Sequence, residues 1–123
     1  MNKEVAKKWV EALESGEYQQ ATGKLQQSKE GGYCCLGVLC KVAEKEGVET
    51  VYVDPGTPAE SRLRGGSMVY QEQVMNWADC GYDGPALIYK EEKVNGIRLN
   101  DSKRLSFTQI AQVIRDNFLK EED

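Results

Sequence analysis

The sequence predicts an α+β fold: a single small domain over residues 1–123, with about four helices packed on a small antiparallel sheet with one hairpin. Three observations predict it. Apolar residues recur at helical spacing near both ends of the chain, as Val5, Trp9, Ala12 and Leu13, and again as Phe107, Ile110, Ala111, Ile114 and Phe118. The run VETVYVD, 48–54, is rich in β-branched and aromatic residues. Asn95-Gly96 is the strongest short hairpin signal, because both residues tolerate the positive φ of a type I′ turn. At 123 residues such a domain buries a real core without staples.

Residues 2–15 form an amphipathic helix, capped by Asn2 and stopped by Gly16. Tyr18 to Leu25 reads as a loop or brief strand, and QQSKEGG as a turn. Residues 33–46 read as a second helix, apolar almost all round until Lys41 and closed by Gly47. The strand 48–54 ends at Asp54-Pro55-Gly56. PGTPAESRLRGGS is the longest irregular stretch and so a candidate functional loop. A third helix covers Tyr70 to Ala78 with Val74 and Trp77 inward, and CGYDGP, 80–85, is a turn. The hairpin turns at Asn95-Gly96, with Val94 and Ile97 as cross-strand neighbours. The last helix has the clearest start, with Ser106 as N-cap, Gln109 completing a capping box and Leu105 stapling onto Ile110.

Composition excludes several functions. The formal charge of −4 argues against direct nucleic-acid binding, which needs a basic face. No apolar run approaches the ~20 residues that span a bilayer, so no membrane partner is expected. Glu4, Glu11 and Glu14 interrupt the N-terminal segment, which reads as a helix and not a signal peptide. The four cysteines are then expected as free thiols in a reducing cytoplasm. There is no histidine, which removes Ser–His and Cys–His nucleophile pairs and His-dependent zinc sites.

Three of those cysteines fall within YCCLGVLC, 33–40. Adjacent helical residues point about 100° apart, so Cys34 and Cys35 cannot both face one ion, and Cys40 follows Cys35 at a poor spacing for shared coordination. Their neighbours Leu36, Val38, Leu39 and Val42 are apolar. Core packing is therefore expected, with no metal and no other cofactor. Asp79, Asp83, Glu91, Glu92 and Asp101 are the carboxylates a hydrolytic site would draw on, although surface charge is the simpler reading. RLRGGS joins Arg62 and Arg64 to flexible glycine amides, a lid suited to an anion. Tyr82 is the tyrosine expected to be exposed. Asn100 and Asp101, between hairpin and last helix, are turn-forming residues or a polar cluster at a cleft mouth.

W-x₂-A-L-x-S-G-x-Y-x-Q from Trp9 to Gln20, YCCLGVLC, V-x₂-W at Val74 and Trp77, LND at 99–101 and S-F-x₂-I-A-x₂-I at 106–114 together resemble a group of small proteins of tailed bacteriophages and prophages. Val69-Tyr70 stands where those relatives carry Leu-Pro, and 86–97 has no counterpart. The resemblance implies a phage origin and action in the host cytoplasm, and brings no catalytic residues. The expected function is that of a non-enzymatic binding protein, a homo-oligomer that inhibits a host defence factor by gripping a protein or sequestering a small anionic, nucleotide-like signal. Its contact residues would be Arg62, Arg64, Tyr82, Asn100 and Asp101. The alternatives are a carboxylate-based, metal-dependent hydrolase of nucleotides or nucleic acid, and a structural or virion-associated protein.

Overall fold

The first helix, α1 (Lys3–Glu14), begins where Asn2 Oδ1 accepts the Val5 amide at 3.1 Å and ends as the chain turns through Gly16 at φ 78°. Its inward stripe is Val5, Ala6, Trp9, Val10 and Leu13. A computed structural model describes residues 1–20, 26–28, 31–48, 72–81, 84–96 and 98–119. The fold is α+β, as the periodicities predict.

The segment read as a turn, together with Tyr33, read as the start of the second helix, contains a short hairpin, β1 (Gln26–Ser28) and β2 (Gly31–Tyr33). Glutamine, serine and glycine have low strand propensity, so composition did not announce it. Tyr33 also bridges in parallel to Gln20, and its amide donates to the Gln19 carbonyl at 2.8 Å. The chain then enters α2 (Cys35–Lys45) with Cys34 as N-cap. From Cys34 to Cys40 every residue is buried. The helix closes with the Gly47 amide on the Glu44 carbonyl and the Val48 amide on the Ala43 carbonyl at 2.9 Å, with Gly47 left-handed at φ 87°. This pairing satisfies carbonyls the helix would otherwise leave open. The expected strand over 48–54 lies outside the described residues, apart from Val48.

The third helix, α3 (Glu72–Ala78), ends in the same way, but with Asp79 at φ 56° in place of glycine, and the Cys80 amide reaching the Met75 carbonyl at 3.2 Å. Val74 is fully buried and Trp77 half-buried. A second hairpin follows, β3 (Leu87–Tyr89) and β4 (Glu92–Val94), separate from the first. Two antiparallel ladders, not one sheet, are therefore present among the described residues.

The hairpin is real but turns earlier than predicted. Its two-residue turn is Lys90-Glu91, both at positive φ (49° and 68°), and Val94 pairs with Leu87. Asn95 instead opens the next element, a wide π-type helical turn, Arg98–Ser102. Its Oδ1 accepts the Arg98 amide at 2.8 Å, and its carbonyl accepts the Leu99 amide at 3.1 Å. Ile97 lies outside the described residues. The reason is tertiary: a Cβ on Gly96 would stand 2.9 Å from Cys35 Sγ and 3.5 Å from Leu36 Cδ2. The glycine is there to let the chain touch α2, not to make a hairpin.

The last helix, α4 (Phe107–Ile114), starts with the expected capping box: Ser106 Oγ accepts the Gln109 amide at 3.1 Å, and Gln109 Oε1 accepts the Ser106 amide at 2.9 Å. It runs on into a second wide turn, Arg115–Leu119. There the Asn117 amide group accepts from the Ile88 amide at 2.8 Å and donates to the Ile88 carbonyl at 3.1 Å. It thereby satisfies the edge of β3 as a neighbouring strand would.

One core joins these pieces. α1 packs on α4, on α2 and on the Arg115–Leu119 turn, and β3 lies against α4. Trp9, Leu36, Leu39, Leu87, Leu99, Ile110 and Ile114 are fully buried at its centre. Exposed ion pairs stitch the rim: Arg115 grips both carboxylate oxygens of Glu14, Lys8 pairs with Glu46, and Glu92 holds Arg98 at 2.9 Å and Lys103 at 2.8 Å. Gly96→Ala should destabilise the protein by about 1–3 kcal/mol, the usual cost of overpacking a core. Urea unfolding measures it, and a variant as stable as wild type would refute the close approach.

Candidate functional site

Trp9 and Cys35, two of the residues that mark the sequence, lock the interior. Trp9 Nε1–H donates to the Cys35 carbonyl at 2.8 Å, a buried bond between α1 and the first turn of α2. On the other side the Cys35 thiol donates to the Gly96 carbonyl at 3.2 Å. Cys35 is thus gripped from two elements, and its side chain has no exposure.

A polar clamp lies close by. Gln20 Nε2 donates to Asn100 Oδ1 at 2.9 Å and to the Leu105 carbonyl at 2.7 Å, while its Oε1 accepts the Phe107 amide at 3.1 Å. One side chain therefore fastens the segment after α1 to the wide turn, to the loop behind it and to the start of α4. Phe107 carries one of the first-turn amides that no intrahelical carbonyl can reach. Asn100, at 1% exposure the buried polar residue among the described core, extends the clamp by donating Nδ2–H to Asp101 Oδ1 at 2.8 Å. The chain then reverses at Arg104, left-handed at φ 53°, so that the Leu105 amide meets the Leu99 carbonyl at 3.0 Å.

The cluster is chemically quiet. A helix N-terminus normally favours a thiolate, and backbone amides at Leu36 and Gly37 do pull the Cys34 value down. Burial is the larger effect and pushes this thiol up to about 11, with the nearby Asp101 charge adding to the rise. Burial likewise raises Cys35 well above the ordinary thiol value, helped by Cys34 and Asp101, and it raises Cys40. Cys80 is only half-buried and is raised chiefly by that partial burial. All four cysteines are free thiols. Among the described residues, no three His, Cys, Asp or Glu side chains are grouped so as to hold a metal ion.

Of the five expected contact residues, the structure describes two. Asn100 is buried and Asp101 half-buried, and the pair is joined by a hydrogen bond. Arg62, Arg64 and Tyr82 lie outside the described residues, as does Asp83. Among the other candidate carboxylates, Glu92 is held between two cations and Asp79 terminates α3. Gln20 was missed as a key residue. Its only signal was its place in the Trp9-to-Gln20 pattern, because its partners are 80 to 87 residues away in sequence.

Gln20→Ala removes three bonds at once and should cost about 2–3 kcal/mol of stability by urea unfolding. Gln20→Glu would turn a carboxylate toward the Asn100 and Leu105 oxygens, which raises its folded pKa. Its stability is then lost as pH rises through that value and regained on acidification; pH-independent stability would argue against the clamp. For the thiols, a disulfide reagent should modify Cys80 first, and Cys34, Cys35 and Cys40 only at the rate of unfolding. Rapid native modification of Cys34 would contradict the raised value.

Among the described residues, no helix is long and apolar enough to cross a membrane. No curated protein and no solved structure matches the chain. The family described as "Domain of unknown function (DUF8296)" matches residues 1–118, nearly the whole chain, and the chain belongs to that family.

Proposed function

We propose that this is a phage-encoded, non-enzymatic binding protein acting in the host cytoplasm, where it inhibits a host defence factor by gripping a protein or sequestering a nucleotide signal. One observation carries the reading. Trp9, Gln20, Cys34, Cys35 and Asn100, the residues that make the sequence distinctive, are occupied in holding helices and turns together. With the interior committed to packing, the work falls to the surface, and a surface does its work by contact. The thiols support the same view, because burial holds them in the protonated, poorly nucleophilic form.

The two forms of the proposal separate experimentally. Isothermal titration against cyclic nucleotides and ADP-ribose derivatives should give heat if a nucleotide is sequestered, and no heat from any ligand removes that form. Capture from host lysate should give a stoichiometric complex if a protein is gripped. Silence in both experiments sinks the proposal. Hydrolysis of the titrated ligand would replace it with the enzymatic alternative.

A further inference from the structure

The flank of α2 carries a cluster at the rim of the core, against which its two tyrosines are partly packed. Tyr18, in the loop after α1, and Tyr33, at the end of β2, meet edge to face with ring centroids 5.5 Å apart and planes at 88°. Lys41 and Lys45 are four residues apart on α2 and so share one face of it. The Lys45 ammonium stands 5.5 Å from the Tyr18 centroid, and that of Lys41 5.9 Å from the Tyr33 centroid. Both tyrosines are half-buried, leaving part of each ring open. Four side chains from three parts of the chain thus set two π faces and two cations on one patch.

Each lysine also has a carboxylate partner, Glu44 at 3.4 Å from Lys41 and Glu17 at 2.9 Å from Lys45. These pairs are open to water, with side-chain exposures of 29–60%. Exposed pairs of this kind contribute little and are readily exchanged for a multiply charged anion. Two ammonium groups one helical turn apart can share a phosphate or diphosphate, and tyrosine is a stacking surface for a nucleobase. An inorganic anion would leave the rings unused, and a bare base would leave the lysines unused.

We infer that Tyr18, Tyr33, Lys41 and Lys45 form a binding patch for a phosphorylated nucleoside, with the lysines on its phosphate oxygens and the rings against its base. This inference rests on the sequestering form of the proposed function and gives that ligand a surface other than Arg62, Arg64 and Tyr82.

The test titrates the intact protein with ADP, GDP, ADP-ribose and cyclic AMP, with adenosine and inorganic pyrophosphate as half-ligands. Tyrosine ring resonances are followed by NMR in parallel. At least one nucleotide should bind, shifting the Tyr18 and Tyr33 rings, with each half-ligand weaker by about tenfold or more. The Lys41→Ala, Lys45→Ala double variant removes two ammonium groups whose ion pairs lie at the surface, so it should keep its fold, checked by its NMR spectrum, while losing about tenfold or more in affinity. Nucleotide binding unchanged in that variant overturns the patch but leaves sequestration standing at another surface. Pyrophosphate binding as tightly as the nucleotides overturns the role of the rings. No binding by the wild-type protein overturns both the patch and the sequestering form.

Discussion

The structure depends on how Cys35 is held. Its carbonyl takes the Trp9 indole N–H, its thiol gives a hydrogen bond to the Gly96 carbonyl, and its side chain is sealed from water. Three segments distant in sequence meet at this residue: α1, the first turn of α2 and the entry to the wide turn. A thiol fits the demand because it is small, packs as an apolar group and still donates weakly. Alanine would leave the Gly96 carbonyl without this donor, and a larger side chain would push against a glycine chosen for closeness. A buried polar group left unsatisfied costs about 1–3 kcal/mol, a large share of the stability of a small domain.

The Gln20 clamp is the second constraint and works on different material. It does not build core; it supplies polar partners to backbone that has left regular structure. The Leu105 carbonyl follows a wide turn and the Phe107 amide opens a helix, so neither has a partner from local geometry. Asn100 is carried into the interior by the same arrangement, and burying its amide is tolerable because Gln20 and Asp101 bond to it. The LND segment thereby becomes part of the framework, with Asn100 bonded on one side to Gln20 and on the other to Asp101.

What could be read from the sequence was what neighbours decide. The Ser106–Gln109 capping box, the Asn2 cap and the Gly47 terminus each involve groups within five residues, and each is present. Asn95-Gly96 shows the limit. Its local preference for a type I′ turn was outvoted, because Gly96 is needed against Cys35 and the reversal was made by Lys90-Glu91 instead. Asp79 likewise takes a left-handed position that composition would give to glycine or asparagine. Gln20 was illegible for the opposite reason: nothing local marks it, and its bonds exist only once the far end of the chain has arrived. The Tyr18–Tyr33 and lysine cluster is similar, since the aromatic contact needs the loop after α1 to cross β2.

The direction of the perturbed ionisations bears on what the surface can do. A group that moves protons near neutral pH needs its pKa brought toward neutrality, and it needs access. Here burial moves the thiols away from ionisation and removes access at the same time. The water-facing groups move the other way. Hydrogen bonding to Lys103 and the charge of Arg98 lower Glu92, the Arg115 bond lowers Glu14, and bonds to Glu46 and Glu17 raise Lys8 and Lys45. Each is driven further into its charged state, where it exchanges no proton near neutrality but remains a fixed charge for a partner to meet. Among the described residues, the half-buried Cys80 apart, the perturbed groups are therefore either sealed and neutral or exposed and permanently charged. Lys45 is one of these fixed charges, held beside the Tyr18 ring, which itself meets Tyr33 edge to face.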